Sequence, residues 1–129
     1  MSLALLAFGD VLMIGLFVLL GERDHAISDP QPVLRWLITS AEFALPWLIV
    51  SWLLGAYRLN WTTCSLLLQT INAWFIAAPL GALARSFVNG SGAIVSLFLV
   101  VALLVGGAML LIWRWVFAWL MSRRATSTA

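Results

Sequence analysis

The chain has 129 residues, of which 64% are hydrophobic and 9% are charged, and its mean hydropathy is +1.06. This composition excludes a soluble domain, which could not keep so many apolar side chains away from water. The net charge of +2 comes from seven arginines and no lysine against five acids, and in a membrane protein such an excess reports topology before it reports nucleic acid. The composition predicts an integral membrane protein that contacts the lipid bilayer, with no nucleic-acid partner.

Long, nearly uncharged runs lie between the charged residues, and in chain order they are Leu3 to Gly21, Trp36 to Tyr57, Leu59 to Ala84 and Ser86 to Trp113. Each run reaches the roughly 20 residues that, at about 1.5 Å of rise per residue, cross a hydrocarbon core of ~30 Å. Transmembrane helices are predicted at about 3–21, 34–57, 61–82 and 92–120, in one domain that covers residues 1–129. Because short connections join neighbouring antiparallel helices, the predicted fold class is all-α, an integral membrane up-down four-helix bundle.

The arginines near the ends of the predicted helices are balanced between the two predicted sides of the membrane. Three lie on the side of the termini, Arg58, Arg123 and Arg124, and three lie on the other side, Arg23, Arg35 and Arg85. Basic loops tend to stay cytoplasmic, and Arg114 inside the fourth helix favours the side of the termini. We therefore expect both termini on the cytoplasmic side of a prokaryotic plasma membrane, although the balance also permits insertion in both orientations.

Two opposite charges lie inside the first and fourth predicted helices at matching depth. Asp10 is seven residues beyond Leu3, about 10 Å into the membrane, and Arg114 is six residues before Leu120, about 9 Å from the same side. An isolated charge at that depth costs several kcal/mol, and pairing offsets much of this. We expect Asp10 and Arg114 to form a structural ion pair, with Gly107 on the face of Arg114 allowing another helix to approach closely.

The second predicted helix contains the segment TSAEFALPWLIV, in which Glu42 is the only charge between Arg35 and Arg58. Four residues later, Pro46 has no N–H to donate to the carbonyl of residue 42, so a second polar group is left unpaired at the same place. An acid near the midplane without an evident counter-ion favours a binding site. The alternative is that both residues are purely structural, with the proline only bending the helix.

The third predicted helix offers partners for Glu42. Polar residues recur there at spacings of three, four and three, which puts them on one helical face: Thr62, Ser65, Gln69 and Asn72. We expect this face to point inward, with Gln69 and Asn72 beside the carboxylate. Arg85 is the less favoured partner, because its side chain would have to fold inward from the rim. The structural alternative is that the polar residues only join helices, at about 0.6 kcal/mol for each hydrogen bond.

Eight tryptophans are the other unusual feature of the sequence. Trp47 and Trp74 lie deep in the predicted bundle and could wall a small ion or an apolar or cationic ligand close to Glu42, since ring faces attract cations. The alternative is that both rings only fill the core or face lipid.

Single copies of cysteine and histidine limit the remaining chemistry. Cys64 has no base within a helical turn and is interpreted as a packing residue, and His25 is interpreted as a surface loop residue. One histidine cannot build a metal cluster. We expect no metal, no cofactor and no enzymatic activity, because no nucleophile–base constellation is present.

Several segments resemble those of a known family: GERDHA after an aspartate in the first helix, ALPWLIVSW, PLGALARSFVNG and FLVVALLVGGAMLLIWRW. They are similar to the prokaryotic domain-of-unknown-function 3054 family of small four-helix membrane proteins. The resemblance covers nearly the whole chain and depends on Asp10, Gly15, His25, Pro46, Trp52, Gly81, Arg85, Trp113 and Arg114. It implies a fold and no established activity, and Asp24 before the histidine departs from the more usual small residue.

Two classes of function fit these observations best. The first is an ion- or proton-coupled small-molecule transporter or channel, similar to the small multidrug resistance transporters in size, helix number and membrane-embedded glutamate, although their glutamate lies in the first helix. Four helices alone enclose little space for a pathway, so a homo-oligomer, at its simplest a homodimer, is expected. The second class is a non-enzymatic accessory subunit that binds a lipid or pigment within a larger membrane complex.

Overall fold

A computed structural model describes residues 3–24, 30–58, 62–90 and 96–127. These residues form five α-helices, α1 (Leu3–Asp24), α2 (Pro32–Leu53), α3 (Thr63–Val88), α4 (Ser96–Val101) and α5 (Gly107–Ser127). A π-helical segment, Ala102–Gly106, joins α4 to α5, so these elements make one long fourth helix. Among these described residues, four spans are long and apolar enough to cross a membrane, as the composition predicted.

The helices form an up-down bundle in which chain neighbours are also neighbours in space. α2 packs against α1 and α3, and α5 packs against α3 and α1, which closes the four helices into a square. The predicted all-α four-helix bundle is confirmed. We call the side where α1 begins and α5 ends the terminal side, and the side where α1 ends and α2 begins the opposite side.

The helix ends differ from the predicted boundaries at several places. α2 ends at Leu53 and not at residue 57, because the chain turns at Gly55, where φ is +71°, a conformation that glycine adopts without steric cost. The turn then folds back into the bundle, so that Ala56 and Tyr57 are buried. α3 continues to Val88 and α5 to Ser127, past the predicted ends at 82 and 120, since a charged side chain at the rim does not stop a helix. The predicted start of the fourth helix, at residue 92, lies outside the described residues.

The buried face of α3 is made of small side chains. Between Ala73 and Ala82 it comprises Ala73, Ala77, Ala78, Gly81 and Ala82, interrupted by Trp74, and Leu66 is the other large buried residue of the helix. Small residues let helix backbones approach closely, which is the main source of packing energy where lipid is as apolar as the core. On α2 they face large buried rings, Phe43 and Trp47. A Cβ on Gly81 would come within 2.5 Å of Cδ1 of Phe43 and 3.1 Å of the carbonyl oxygen of Glu42.

Tryptophan N–H groups join neighbouring helices through backbone carbonyls. Trp36 of α2 donates to the carbonyl of Gly15 at 2.8 Å, and Trp113 of α5 donates to the carbonyl of Leu6 at 3.3 Å. Trp74 of α3 donates to two carbonyl oxygens at the start of the π-helical segment, those of Ala102 and Leu103, both at 3.2 Å. The change from α-helical to π-helical hydrogen bonding in this segment leaves these oxygens available to the indole. The indole N–H groups and these backbone carbonyls therefore satisfy each other's hydrogen bonds, which water cannot do inside a hydrocarbon layer.

Candidate functional site

The ion pair expected from depth counting is present. Arg114 donates from Nη2 to Oδ2 of Asp10 at 2.6 Å and from Nε to Oδ1 at 3.1 Å. Both side chains are fully buried, with 0% exposure. This two-bond geometry matches a planar guanidinium to a carboxylate and gives the strongest form of such a pair. The charges meet because an even number of crossings brings α5 back beside α1.

Residues from α2, from the turn after it and from α3 complete the polar surroundings of this pair. Oδ2 of Asp10 also accepts hydrogen bonds from Nε1 of Trp47 at 3.1 Å and from the hydroxyl of Tyr57 at 2.8 Å. Nη1 of Arg114 donates to the carbonyl of Ala56 at 2.9 Å and contacts Oγ1 of Thr70 at 3.4 Å. We call this group the Asp10 cluster, composed of Asp10, Trp47, Ala56, Tyr57, Thr70 and Arg114.

Aromatic rings enclose the cationic half of the Asp10 cluster. The guanidinium carbon of Arg114 lies 5.0 Å from the ring centroid of Trp47 and 5.0 Å from that of Tyr57. Burial, together with the Asp10 carboxylate, raises the pKa of Tyr57 well above its usual range, so its hydroxyl keeps the proton that it donates. A pair that is shielded from solvent and surrounded by donors joins all four helices, which indicates a structural role.

A second acid–arginine pair lies toward the opposite side and has a different geometry. Oε2 of Glu42 lies 3.8 Å from Nη1 of Arg85, too far for a hydrogen bond. The Glu42 side chain is 8% exposed, whereas that of Arg85 is 20% exposed. The same Nη1 donates to Oγ1 of Thr39 at 2.7 Å. Arg85 is therefore the charge partner of Glu42, but its hydrogen bond goes elsewhere.

Polar residues continue from Arg85 toward the surface of the opposite side. The hydroxyl of Thr39 donates to Oε1 of Glu22 at 3.5 Å, and Oε1 of Glu22 lies 3.8 Å from Nε of Arg35. The two outer members of this row are its most exposed side chains, at 21% for Glu22 and 32% for Arg35. We call this row the Glu42 network, composed of Glu22, Arg35, Thr39, Glu42 and Arg85. It connects a buried carboxylate with the membrane surface.

The inner end of the Glu42 network is the buried carboxylate of Glu42. Among the described residues, no donor forms a hydrogen bond with its Oε2, although this atom is buried. Buried polar groups are almost always paired, so each exception calls for an explanation. A carboxylate oxygen that lacks a donor can accept a proton or coordinate a cation. Glu42 with Arg85 is therefore the candidate site.

The predicted partners of Glu42 on α3 are wrong. Asn72 is exposed and Gln69 half-buried, because their helical face points away from the small-residue face that packs against α2. The rings of Phe43 and Trp47 need the space that alanine and glycine leave, so packing outweighed the inward orientation of the polar stripe. Thr62, the first residue of that stripe, instead caps α3, where its hydroxyl accepts the backbone N–H of Ser65 at 3.4 Å.

The predicted ligand wall of Trp47 and Trp74 is also wrong. The two rings pack against each other, with centroids 5.7 Å apart in an edge-to-face arrangement. Trp47 belongs to the Asp10 cluster, and Trp74 fits against Gly106 and Gly107 of the fourth helix. Both are buried core residues, which was the alternative interpretation. Gly107 does allow a close approach, by the indole of Trp74.

A spacing signal for the missed residues exists in the sequence. Arg35, Thr39 and Glu42 follow one another at intervals of four and three, so they share one face of α2. This periodicity predicts that the side chain of Glu42 lies on the same face of α2 as Arg35 and Thr39. That face leads to the opposite side of the bundle, where Arg85 lies. Glu22 carries no such signal, because only the packing of α1 on α2 brings it to Thr39.

The other site predictions divide between the described and the remaining residues. Pro46 lies within α2, as expected, and the backbone of Gly81 approaches the carbonyl of Glu42 that the proline leaves free. His25 lies outside the described residues. Within the described ranges, no group of three or more histidine, cysteine, aspartate or glutamate side chains could hold a metal ion.

Comparison with known proteins identifies the family. A family model described as "Protein of unknown function (DUF3054)" matches residues 7–117. No curated protein and no solved structure gives a significant match. The matched range includes the Asp10 cluster and the Glu42 network in full. With most of its length matched in this way, the chain belongs to the DUF3054 family.

Proposed function

We propose that this protein is a small ion- or proton-coupled transporter or channel in which Glu42 and Arg85 form the exchangeable site. The proposal places it as a homodimer in a prokaryotic plasma membrane, with both termini in the cytoplasm. Its substrate is a small ion, or an apolar or cationic molecule. The observation that carries the proposal is the buried Oε2 of Glu42, which has a charge partner at 3.8 Å and no hydrogen-bond donor among the described residues.

The geometry supports the exchange of a bound ion at Glu42, because the guanidinium of Arg85 has two neighbouring acceptors. Its guanidinium lies between the carboxylate of Glu42 and the hydroxyl of Thr39, and only the latter is hydrogen-bonded. A proton or cation that reaches Glu42 neutralises the carboxylate and weakens its attraction for Arg85. Arg85 then remains on Thr39, close to Glu22 and the surface. Loss of the bound ion restores the Glu42–Arg85 attraction, which gives a two-state cycle.

Reconstituted vesicles test this function. We would measure uptake of potassium ion and of the lipophilic cation tetraphenylphosphonium under an imposed pH gradient, together with proton flux. The native protein is expected to raise at least one of these fluxes above that of empty vesicles. Glu42→Gln keeps the shape of the side chain but removes its charge, so we expect it to abolish the pH-dependent part of the flux.

Arginine substitutions provide a matched pair of variants. Arg85→Gln should alter the pH dependence of flux, because it removes the charge that competes for Glu42. Arg123→Gln makes the same chemical change on the terminal side, where Arg123 stacks on Trp119 at 3.9 Å, and should leave flux unchanged. If Glu42→Gln transports with native rate and pH response, Glu42 is not the coupling site.

A groove on the bundle surface favours the alternative of an accessory, ligand-binding subunit. It measures about 400 Å³ and is lined almost entirely by apolar groups, from Leu3, Ala7, Leu48, Ile49, Trp52, Leu53 and Tyr57. Its volume lies within the usual range for small-molecule sites, and its lining suits an acyl chain or pigment. Recovery of a stoichiometric lipid or pigment with the purified protein, lost in Trp52→Ala, together with no flux in vesicles, would favour this alternative.

A further inference from the structure

The outward face of α3 carries amide side chains where a membrane helix normally presents apolar ones. We call Ser65, Gln69 and Asn72 the α3 outer stripe. Asn72 is exposed, and the other two are half-buried. They lie across the helix from Thr70, Trp74 and the alanines that face the core. Two apolar residues continue the same outward face, Ile76 at 48% and Leu83 at 51% exposure.

The two amides of the α3 outer stripe, Gln69 and Asn72, lie inside the segment of α3 that is long and apolar enough to span a membrane. Gln69 and Asn72 follow Thr63, the first residue of α3, by six and nine positions, or about 9 and 13 Å along the helix axis. In the part of the chain that the structure describes, neither amide makes a hydrogen bond, and lipid tails have none to offer. An amide without partners in an apolar medium costs several kcal/mol. The stripe therefore requires a polar partner in the membrane.

A second copy of the chain supplies that partner. A primary amide contains both an acceptor oxygen and N–H donors, so two amides satisfy each other without any further group. A copy with the same orientation presents its own amides at the same depth, and the spacing of three residues keeps Gln69 and Asn72 on one face. Ile76 and Leu83 add apolar contact along the same line. We propose that the α3 outer stripe is the interface of a homodimer, joined by amide hydrogen bonds between Asn72 and Gln69 of the two copies.

This inference deepens the proposed function and rests on it only for the expectation of a homo-oligomer. The α3 outer stripe and the Glu42 network lie in different parts of the bundle. Asn72 is exposed on the outer face of α3, whereas the side chain of Glu42 is buried where α2 packs against α3. Dimer formation and flux can therefore fail separately. Loss of flux in Glu42→Gln with an intact dimer supports both the site and the interface, whereas a monomer with normal flux overturns the homodimer and its interface but leaves the Glu42 site standing.

Cysteine cross-linking in native membranes tests the interface. The exposed Cys64 is first replaced by serine. Asn72→Cys and Gln69→Cys are then each introduced into the Cys64→Ser protein, and the two variants are tested separately and expressed together. Leu12→Cys is the matched control: it lies nine residues after the start of α1, at the depth of Asn72, and is 47% exposed. We expect oxidation to give a covalent dimer at the stripe positions, with Leu12→Cys remaining monomeric.

Apolar substitutions measure the hydrogen bonds themselves. Asn72→Leu and Gln69→Met keep similar side-chain volumes but remove the amides. Each should raise the dimer dissociation constant in lipid vesicles by about 3- to 30-fold. Energy transfer between labelled copies, recorded as the vesicles are diluted with lipid, measures this constant. Ile76→Leu, on the same face, should change it less than 3-fold. A cross-link from Asn72→Cys to a different polypeptide, cross-linking no greater than that of Leu12→Cys, or a dissociation constant unmoved by Asn72→Leu would overturn the proposal.

Discussion

The bundle contains two acid–arginine pairs that differ in almost every physical respect. Arg114 binds Asp10 through two hydrogen bonds, the shorter at 2.6 Å, with both side chains fully buried. Arg85 lies 3.8 Å from Glu42 without a hydrogen bond, and it remains partly exposed. The first pair is surrounded by further donors, and the second has a carboxylate oxygen with no donor among the described residues. The comparison indicates that shielding and hydrogen bonding, more than the presence of opposite charges, separate a structural pair from an exchangeable one.

The difference arises from what covers each pair. On the terminal side, the turn after α2 folds inward, so that Ala56 and Tyr57 close the Asp10 cluster and bind it. On the opposite side, Arg85 lies three residues before the end of α3, and its side chain remains 20% exposed. High dielectric weakens the attraction between charges. The Glu42–Arg85 pair is therefore the weaker of the two and the easier to replace.

The largest effect is expected from breaking the Asp10 cluster. Asp10→Asn leaves Arg114 buried with a neutral partner, and removing one member of a buried pair costs about 3–5 kcal/mol. The expected result is a large fall in the thermal unfolding temperature in detergent, which circular dichroism would measure.

A double variant tests whether this loss comes from the pairing. Asp10→Asn with Arg114→Gln removes both charges and should recover part of the stability lost in Asp10→Asn alone. Strictly additive losses would show that the two residues stabilise the protein independently, contrary to the 2.6 Å contact.

A middle-sized effect is expected where α2 and α3 approach beside Glu42. Gly81→Ala places a Cβ 2.5 Å from the ring of Phe43, so α2 must shift, and overpacking of this kind costs about 1–3 kcal/mol. Gly21→Ala is the matched control, because a Cβ there meets nothing within 4 Å. Unfolding in detergent should separate the two variants, and equal stability would mean that the contact between the helices relaxes freely.

A smaller effect is expected from Tyr57→Phe, which removes one of the donors to Asp10 and should cost about 1–1.5 kcal/mol. The raised pKa of Tyr57 also predicts a pH dependence. The unfolded chain loses the tyrosine proton near pH 10, whereas the folded chain keeps it, so this stabilisation is complete below about pH 10 and falls as the pH rises further. Unfolding curves at pH 8 and pH 11 should show this fall in the native protein, and a smaller one in Tyr57→Phe.

The smallest effect on stability is expected from Glu42→Gln. Its charge partner is 3.8 Å away and partly exposed, so loss of the attraction should change the free energy of unfolding by less than about 1 kcal/mol. This is the reverse of the result expected for Asp10→Asn. A loss of similar size in both variants would remove the distinction between the two pairs and make Glu42 structural.

How far the sequence predicted the site can be judged from these same residues. Counting residues from the helix ends was sufficient for Asp10 and Arg114, because rise per residue and an even number of crossings determine depth. The same method reached Glu42 but chose the wrong partner, since depth does not report how a helix is rotated. Rotation of α3 depends on which face packs best, and the rings of α2 selected alanine and glycine over Gln69 and Asn72.

Some contacts had no signal along the chain at all. The approach of Glu22 to Thr39 and the inward turn that brings Tyr57 to Asp10 both join residues that are distant in sequence, at separations of 17 and 47. Such contacts depend on the relative positions of whole helices. They decide how well each buried charge is shielded.

By itself, the sequence determined the membrane class, the number of spanning helices and the level of each intramembrane charge. These properties follow from hydrophobic length and from the high cost of an unpaired charge in hydrocarbon, both of which act on local segments. Only the tertiary structure decided which face of α3 turns inward, and therefore that Arg85 and not Asn72 lies at Glu42. The physical reason is that van der Waals packing between helices depends on the shapes of both partners at once, and a single helix contains only half of that information.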